Sequence, residues 1–157
     1  MRLLFVGGPL LAAAVAAVLV LELAGGSSGG PGDPADFMST LYGQIARNDY
    51  ADAWLTLHPV QQRVASKTAY VTCESQSPIP GKLAALKILG VSDERVSVAG
   101  QPGTVAGKAV RVRLSIAQAG SDPVVLVHTG HAVAVGGHWT WILPAERFAE
   151  YRAGRCP

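Results

Sequence analysis

The sequence has little charge and few aromatic residues. Only 15% of the residues are charged, and the 13 Lys and Arg against 11 Asp and Glu give a formal net charge of +2. The basic residues are scattered along the chain, so they predict none of the basic patches or stripes that nucleic-acid binding needs. Nucleic acid is therefore excluded as a partner. Aromatic residues make up 6%, and the tryptophans stand in Ala/Val/Leu-rich segments, which favours a place in the core.

The longest stretch without charge lies near the start of the sequence. Residues 3–21 are 19 consecutive uncharged residues, preceded by Arg2 and followed by Glu22. A helix needs roughly 20 apolar residues to cross a bilayer, and a cation before the run favours export of the residues after it. We therefore predict a membrane helix within residues 1–24 and an extracytoplasmic remainder.

A cleaved signal peptide is the competing interpretation of residues 1–24. Its apolar region would be about 7 to 15 residues long, with small residues around the cut, whereas Glu22 and Leu23 stand where small residues are needed. Both interpretations export the domain, as a single-pass membrane protein in the first case and as a secreted protein in the second. A buried helix of a soluble core is a third interpretation, but such helices are seldom apolar on every face.

The remainder of the sequence predicts a linker and one domain. Residues 25–32 are rich in Gly, Ser and Pro, a composition typical of a flexible tether. Residues 33–157 are long enough for one hydrophobic core and too short for two domains.

Cysteine is also scarce, and the positions of the two cysteines exclude several kinds of site. None follows the apolar run directly, which excludes lipid attachment at a lipobox, and Cys73 and Cys156 are too far apart for a CxxC redox motif. Two distant thiols also make a poor metal site without histidines at a defined spacing. An even pair in an exported domain predicts a structural disulfide.

The first half of the domain has the patterns of helices. Asp33-Pro34 predicts the start of a helix that runs to about Arg47, because Asp is a favoured N-cap and Pro a favoured first helical residue. Shorter helices are predicted over 50–57, 60–65 and 66–74.

The second half has the period of two that is typical of strands. Strands are predicted over 83–91 and 95–98, with an interruption near Ser92-Asp93, and over 109–118, 123–135 and 138–143. Between 109 and 118, aliphatic residues at even positions alternate with Arg and Ser at odd ones, so one face packs on the core and the other meets water. A last short helix follows Pro144. Helices followed by strands predict an α+β fold, with helices on one face of a curved antiparallel sheet of about four strands.

Four segments together resemble the nuclear-transport-factor-2-like superfamily. The resemblance covers residues 33–157 and implies a cystatin-like cone of helices on a curved sheet. It further implies an exported or membrane-anchored bacterial member, in which a Cys in the last helix before the sheet accompanies one at the C-terminus. The superfamily hosts many unrelated activities, so the resemblance implies a fold more than a function. The segments are Phe37-x3-Leu41-x3-Ile45, Tyr50-Ala-Asp-Ala-Trp54-x2-Leu57-His58-Pro59, Tyr70-Val-Thr-Cys73 and Trp139-Thr-Trp141-Ile-Leu-Pro144-x3-Phe148-x2-Tyr151.

Carboxylates are missing from the strands where an enzyme of this kind would need one. The enzymatic members that the chain resembles use a carboxylate in the cone as general base, with donors opposite that stabilise an oxyanion. Residues 109–118 and 123–135 contain no Asp or Glu, and Asp93, Glu94 and Asp122 are predicted at turns. Asp52 is the helical carboxylate that could act as a base, and a surface position is favoured for it. No catalytic residue is assigned.

Three histidines are candidate functional groups. His128 and His131 have a ligand-like spacing, but odd and even positions of a strand face opposite sides. No metal site is predicted, because only a bulge at Gly130 would bring the two rings together. His58 precedes Pro59 at a helix end, where a capping or surface role is expected.

Two functions remain open for the domain. The favoured one is a non-catalytic extracytoplasmic module, anchored through residues 3–21 and without a cofactor, that binds a small ligand or an envelope protein and can dimerise through the sheet. The alternative is a small-molecule isomerase, cyclase or dehydratase that uses the cone pocket. Three or more titratable groups that converge in the cavity would favour the enzyme. An apolar or filled cavity would favour the non-catalytic binding module. The candidate ligand contacts are Arg111, Arg113, Trp54 and His128.

Overall fold

The computed structural model describes residues 31–157, in which helices come first and a four-stranded antiparallel sheet follows. A last helix ends the chain. The predicted α+β fold is confirmed for this part. The elements are α1 (Pro34–Ala46), α2 (Tyr50–Leu55), α3 (Pro59–Gln62), α4 (Lys67–Gln76), β1 (Lys82–Ser97), β2 (Thr104–Gln118), β3 (Ser121–Val135), β4 (His138–Trp141) and α5 (Ala145–Arg152).

Local capping sets the starts of three helices. The Asp33 carboxylate accepts a hydrogen bond from the Ala35 amide, Ser66 accepts one from the Ala69 amide, and His58 Nδ1 accepts one from the Val60 amide. Each interaction satisfies an amide that has no partner within its helix. The predicted caps of α1 and α4 and the capping role of His58 are therefore confirmed.

Helix α2 ends at Leu55, before the predicted end at residue 57, because the residues that follow it pair with the sheet. The Trp141 amide donates to the Thr56 carbonyl, and the His58 amide donates to the Trp141 carbonyl. These bonds form a parallel bridge between Leu57 and Trp141, so the chain is extended there instead of helical.

The sheet is a meander in the order β1-β2-β3-β4. Two-residue turns join the later strands: Ala119-Gly120 between β2 and β3, and Gly136-Gly137 between β3 and β4. Gly136 and Gly137 both have positive φ, 59° and 81°, which a tight hairpin of this kind requires.

Strand β1 corrects the prediction of two separate strands. It runs without interruption from Lys82 to Ser97, and its pairing with β2 shifts register between Leu83 and Ala85 and between Ile88 and Gly90. Ser92-Asp93 is thus not an interruption. Bulges of this kind bend a strand and increase its twist.

The main core lies between the helices and the face of the sheet that carries the even-numbered residues of β2. Val110 and Val112 are fully buried on this face, whereas Arg111 and Arg113 alternate with them and are exposed. The predicted alternation is confirmed. The core also contains side chains from every helix except α3, and from β4: Met38, Leu41, Tyr50, Ala53, Tyr70, Trp141, Phe148 and Tyr151.

The predicted disulfide is confirmed. Cys73 in α4 is bonded to Cys156, with the Cα atoms 5.1 Å apart and a separation of 83 positions in sequence. Because Cys156 follows α5, the bond attaches the C-terminal segment to α4.

The predicted membrane helix at residues 3–21 and most of the predicted linker at 25–32 lie outside the described residues. Between residues 31 and 157, no helix has the length and hydrophobicity to cross a membrane.

Candidate functional site

A cavity of about 630 Å³ lies between the helices and the sheet. Helix α1 contributes one face to it, with residues spaced three and four apart: Met38, Leu41, Tyr42 and Ile45. The remaining walls come from α4, the C-terminal part of β1, residues 128–131 of β3, the end of β4 and the first turn of α5. Elements far apart in sequence therefore converge on one space.

Gly130 lets α1 approach β3 closely at the cavity wall. A Cβ added at this glycine would lie 2.5 Å from the Tyr42 hydroxyl and closer still to the Met38 methyl group. Tyr42 therefore lies directly over the backbone of β3. Its ring meets the His128 imidazole edge-on, with centroids 5.9 Å apart.

The pKa values of Tyr42 and His128 are both shifted in the direction that favours the neutral side chain. Desolvation raises the pKa of the Tyr42 phenol well above its usual range, so the hydroxyl stays protonated and can donate a hydrogen bond. Desolvation, followed by the charge of His131, lowers the pKa of His128. The imidazole is then neutral near pH 7 and can accept a proton or a hydrogen bond. The pair offers a ligand one donor and one acceptor.

A second polar cluster at the cavity wall joins α4 to α5. The Glu74 carboxylate accepts hydrogen bonds from Arg147 Nη2 and, at 2.7 Å, from the Tyr151 hydroxyl. Burial acts to lower the pKa of Arg147, but the Glu74 carboxylate outweighs it and the net shift is upward. Glu74 lies one residue from the disulfide at Cys73. This cluster therefore stabilises the docking of α5 next to the covalent bond.

Glu94 corrects the expectation that the carboxylates near residue 93 lie at a turn. Asp93 and Glu94 both lie inside β1. The Asp93 carboxylate forms an ion pair with Lys108 on the neighbouring strand β2. Glu94 lines the cavity, with its carboxylate 3.4 Å from His131 Nε2. A strand carboxylate is therefore present at the cavity, and it has a histidine partner. Asp122 also lies within a strand, near the start of β3.

The structure brings one of the four candidate ligand contacts to the cavity. His128 lines it. Arg111 and Arg113 lie on the opposite, exposed face of the sheet. Trp54 packs against the core, and its indole N–H donates to the Ala65 carbonyl at 2.7 Å.

The other candidates lie outside the cavity lining. Asp52 is exposed on α2, and His58 is a buried cap of α3. Strand β3 pairs regularly with β2 through Gly130, so there is no bulge and His128 and His131 face opposite sides of the sheet.

The titratable groups at the cavity exceed the three that would favour an enzyme. Most of them are engaged, however. Glu74 and Glu94 each have a partner at the cavity wall. Tyr70, like Tyr42, has a pKa raised by burial, with the Glu74 charge adding to the shift. His128 is the base at the cavity with no ion-pair partner among the described residues.

The cavity residues that sequence reasoning missed include Tyr42, Glu74, Glu94, Arg95 and Arg147. Tyr42 carried a usable signal, because it follows Met38 by four positions and so shares a face of α1 with it. Glu74 and Arg147 are 73 positions apart, and no local pattern predicts that they meet.

Comparison of the chain with models of protein families, with characterised proteins and with solved structures gives no significant match to any of them.

Proposed function

We propose that the protein is a membrane-anchored module of the nuclear-transport-factor-2-like kind, which binds a small, mostly apolar ligand in its cavity without chemical conversion. The open cavity of about 630 Å³ carries this proposal. Its volume falls within the usual range for small-molecule sites, roughly 300–1,000 Å³.

The lining of the cavity supports a ligand with a large apolar part and a small polar part. Met38, Leu41 and Ile45 supply an apolar wall from α1. Tyr42 of α1 and His128 of β3 supply a donor and an acceptor where that wall meets the sheet. Apolar walls with a few fixed polar groups are typical of sites that bind and orient small molecules.

Several observations support the proposed fold family and location. Helices precede a four-stranded meander, the last helix before the sheet carries a cysteine, and that cysteine is bonded to one near the C-terminus. Disulfides persist in oxidising compartments, which agrees with an extracytoplasmic domain. The uncharged run at 3–21 supplies the proposed anchor.

Native mass spectrometry of the full chain, released from membranes, tests ligand binding. Wild type should carry an additional small-molecule mass. Ile45→Trp should lose it, because the larger side chain fills the cavity from α1. The matched control is Leu55→Trp, since Leu55 is 59% exposed on α2 and does not line the cavity. A mass adduct that persists in Ile45→Trp, or none in wild type, would contradict the proposal.

An isomerase, cyclase or dehydratase is the second candidate function. The neutral His128 beside the protonated Tyr42 favours it, because the two groups could act as general base and hydrogen-bond donor. His128→Gln would then trap a substrate that wild type converts. Identical adduct masses in wild type and His128→Gln would favour the binding module.

A further inference from the structure

Four cations lie together on the outer face of the sheet, opposite the helices. The register places Lys87 directly across from Arg113, and Lys82 across from Ala117. Arg111 and Arg113 alternate with the buried Val110 and Val112 and therefore face outward. All four cations are exposed. We call the surface formed by Lys82, Lys87, Arg111 and Arg113 the basic face.

The basic face carries charge of one sign. None of its four cations takes part in an ion pair between described residues. The acids of β1 lie beyond the four cations in the register, since Asp93 pairs with Lys108 and Glu94 with Gly107. The face thus concentrates positive charge on a chain whose formal net charge is only +2.

Exposed aliphatic residues border the basic face. Val127 lies directly across from Arg113 and is 48% exposed, and Val125 next to it is 58% exposed. Strand β4 pairs only with residues 132–135 of β3. Before residue 132, the edge of β3 that faces away from β2 therefore has no neighbouring strand in the described part of the chain.

We propose that the basic face lies against the anionic headgroups of the membrane that anchors the chain, with Val125 and Val127 at the headgroup boundary. The proposal rests on the anchor at 3–21 from the proposed function. A second copy of the chain is a poor occupant, because face-to-face packing would bring two sets of unpaired cations together. Anionic lipid matches the charge, and aliphatic side chains beside cations suit an interfacial position.

The length of the connecting chain keeps the domain at the membrane. Nine residues, 22–30, separate the uncharged run from Pro31, and fully extended they span at most about 30 Å. The Trp139 indole N–H donates to the Gly32 carbonyl at 2.9 Å, which holds the start of the domain against β4. A domain of this length has a radius of gyration of about 14 Å, so its surface stays within reach of the headgroups.

Amide hydrogen exchange of the full chain in nanodiscs tests this contact. One set of nanodiscs is phosphatidylcholine, and the other contains about a third phosphatidylglycerol. Exchange at the amides of residues 124–131 should be slower in the anionic nanodiscs. The difference should disappear at 1 M NaCl, where the Debye length falls to about 3 Å.

Matched triple variants assign the effect to the basic face. Each cation near an anionic surface contributes roughly fivefold to binding, so K87Q/R111Q/R113Q should abolish the lipid-dependent protection. The control R63Q/K67Q/R152Q removes three exposed cations from the helical part of the domain and should keep it.

Three results would overturn the proposal: equal exchange in both lipids, equal loss in both triple variants, or protection that persists at high salt. Protection that is equal in both lipids but depends on protein concentration would indicate a second copy as the occupant. Retention of the chain in nanodiscs is measured separately. A chain that leaves nanodiscs of both compositions would refute the anchor, and this outcome is distinct from failure of the basic face to bind.

Discussion

Removal of the disulfide should lower the stability of the domain substantially. The bond between Cys73 and Cys156 closes a loop of 83 positions. For a loop of this length, the chain-entropy relation gives about 4.5 kcal/mol of stabilisation through the unfolded state. In Cys73→Ser, α5 keeps its contacts with Glu74 through Arg147 and Tyr151. The folded state should therefore change little, and most of the loss should come from loop closure.

The corresponding change in melting temperature follows from the size of the domain. Unfolding entropy is about 2.1 cal/mol/K per residue, or roughly 0.27 kcal/mol/K for the residues from 31 to 157. A loss of about 4.5 kcal/mol then lowers the melting temperature by about 17 °C. Thermal unfolding of the full chain, followed by near-ultraviolet circular dichroism, measures this change.

Single and double variants separate loop closure from packing. Cys156→Ser should match Cys73→Ser, and the double variant should be no less stable than either, because one bond is lost only once. Two free thiols in unfolded, unreduced protein would refute the reasoning directly. Clearly unequal single variants would instead assign a separate packing role to one sulfur.

Three further predictions address packing, charge and pH. Gly130→Ala should cost about 1–3 kcal/mol in urea unfolding because the new methyl group collides with α1, whereas Gly90→Ala, which meets open space, should change stability by less than about 0.5 kcal/mol. Glu74→Gln should cost about 1–3 kcal/mol because it leaves a partly buried arginine without its negatively charged partner, whereas Glu150→Gln at an exposed pair should have no measurable effect. Burial, and then the Arg63 charge, lower the pKa of His58 from 6.5, so stability should fall as the pH drops below 6.5, and His58→Asn should flatten that dependence while it keeps a cap. A wild-type stability that rises toward pH 5 would contradict the last prediction.

Local sequence signals predicted the helix starts and the alternation of β2 correctly. Asp33 and Ser66 cap their helices with their own side chains, and such contacts span only two or three residues. The residues around Val110 are buried on one side of the strand. The alternation of aliphatic with polar residues that produces this burial is visible in the sequence. These features could be predicted because they do not depend on distant parts of the chain.

The errors in the prediction arise where distant residues decide the structure. In the sequence, Ser92-Asp93 has the composition of a break between two strands. In the structure, Asp93 pairs with Lys108 of β2, and β1 continues through it. Helix α2 ends early because Leu57 pairs with Trp141, far away in sequence. The cavity depends on the same kind of contact, since its walls come from elements far apart in the chain. The periodicity of the sequence could therefore predict a layer of helices and a sheet. It could not predict which residues of the two layers contact each other.

The cavity and the basic face occupy opposite sides of the sheet, and they should be separable by mutation. Ile45 lies on the α1 side, so Ile45→Trp should remove the small-molecule mass and leave the lipid-dependent protection of residues 124–127 unchanged. K87Q/R111Q/R113Q should do the reverse, because outward-facing cations do not line the cavity. Residues 128–131 both line the cavity and lie on the free edge of β3. Because these four residues belong to both surfaces, exchange at residues 124–127 is the measurement that separates lipid contact from filling of the cavity. Loss of the bound mass in the triple variant would show that the two surfaces form a single site, and would contradict this separation.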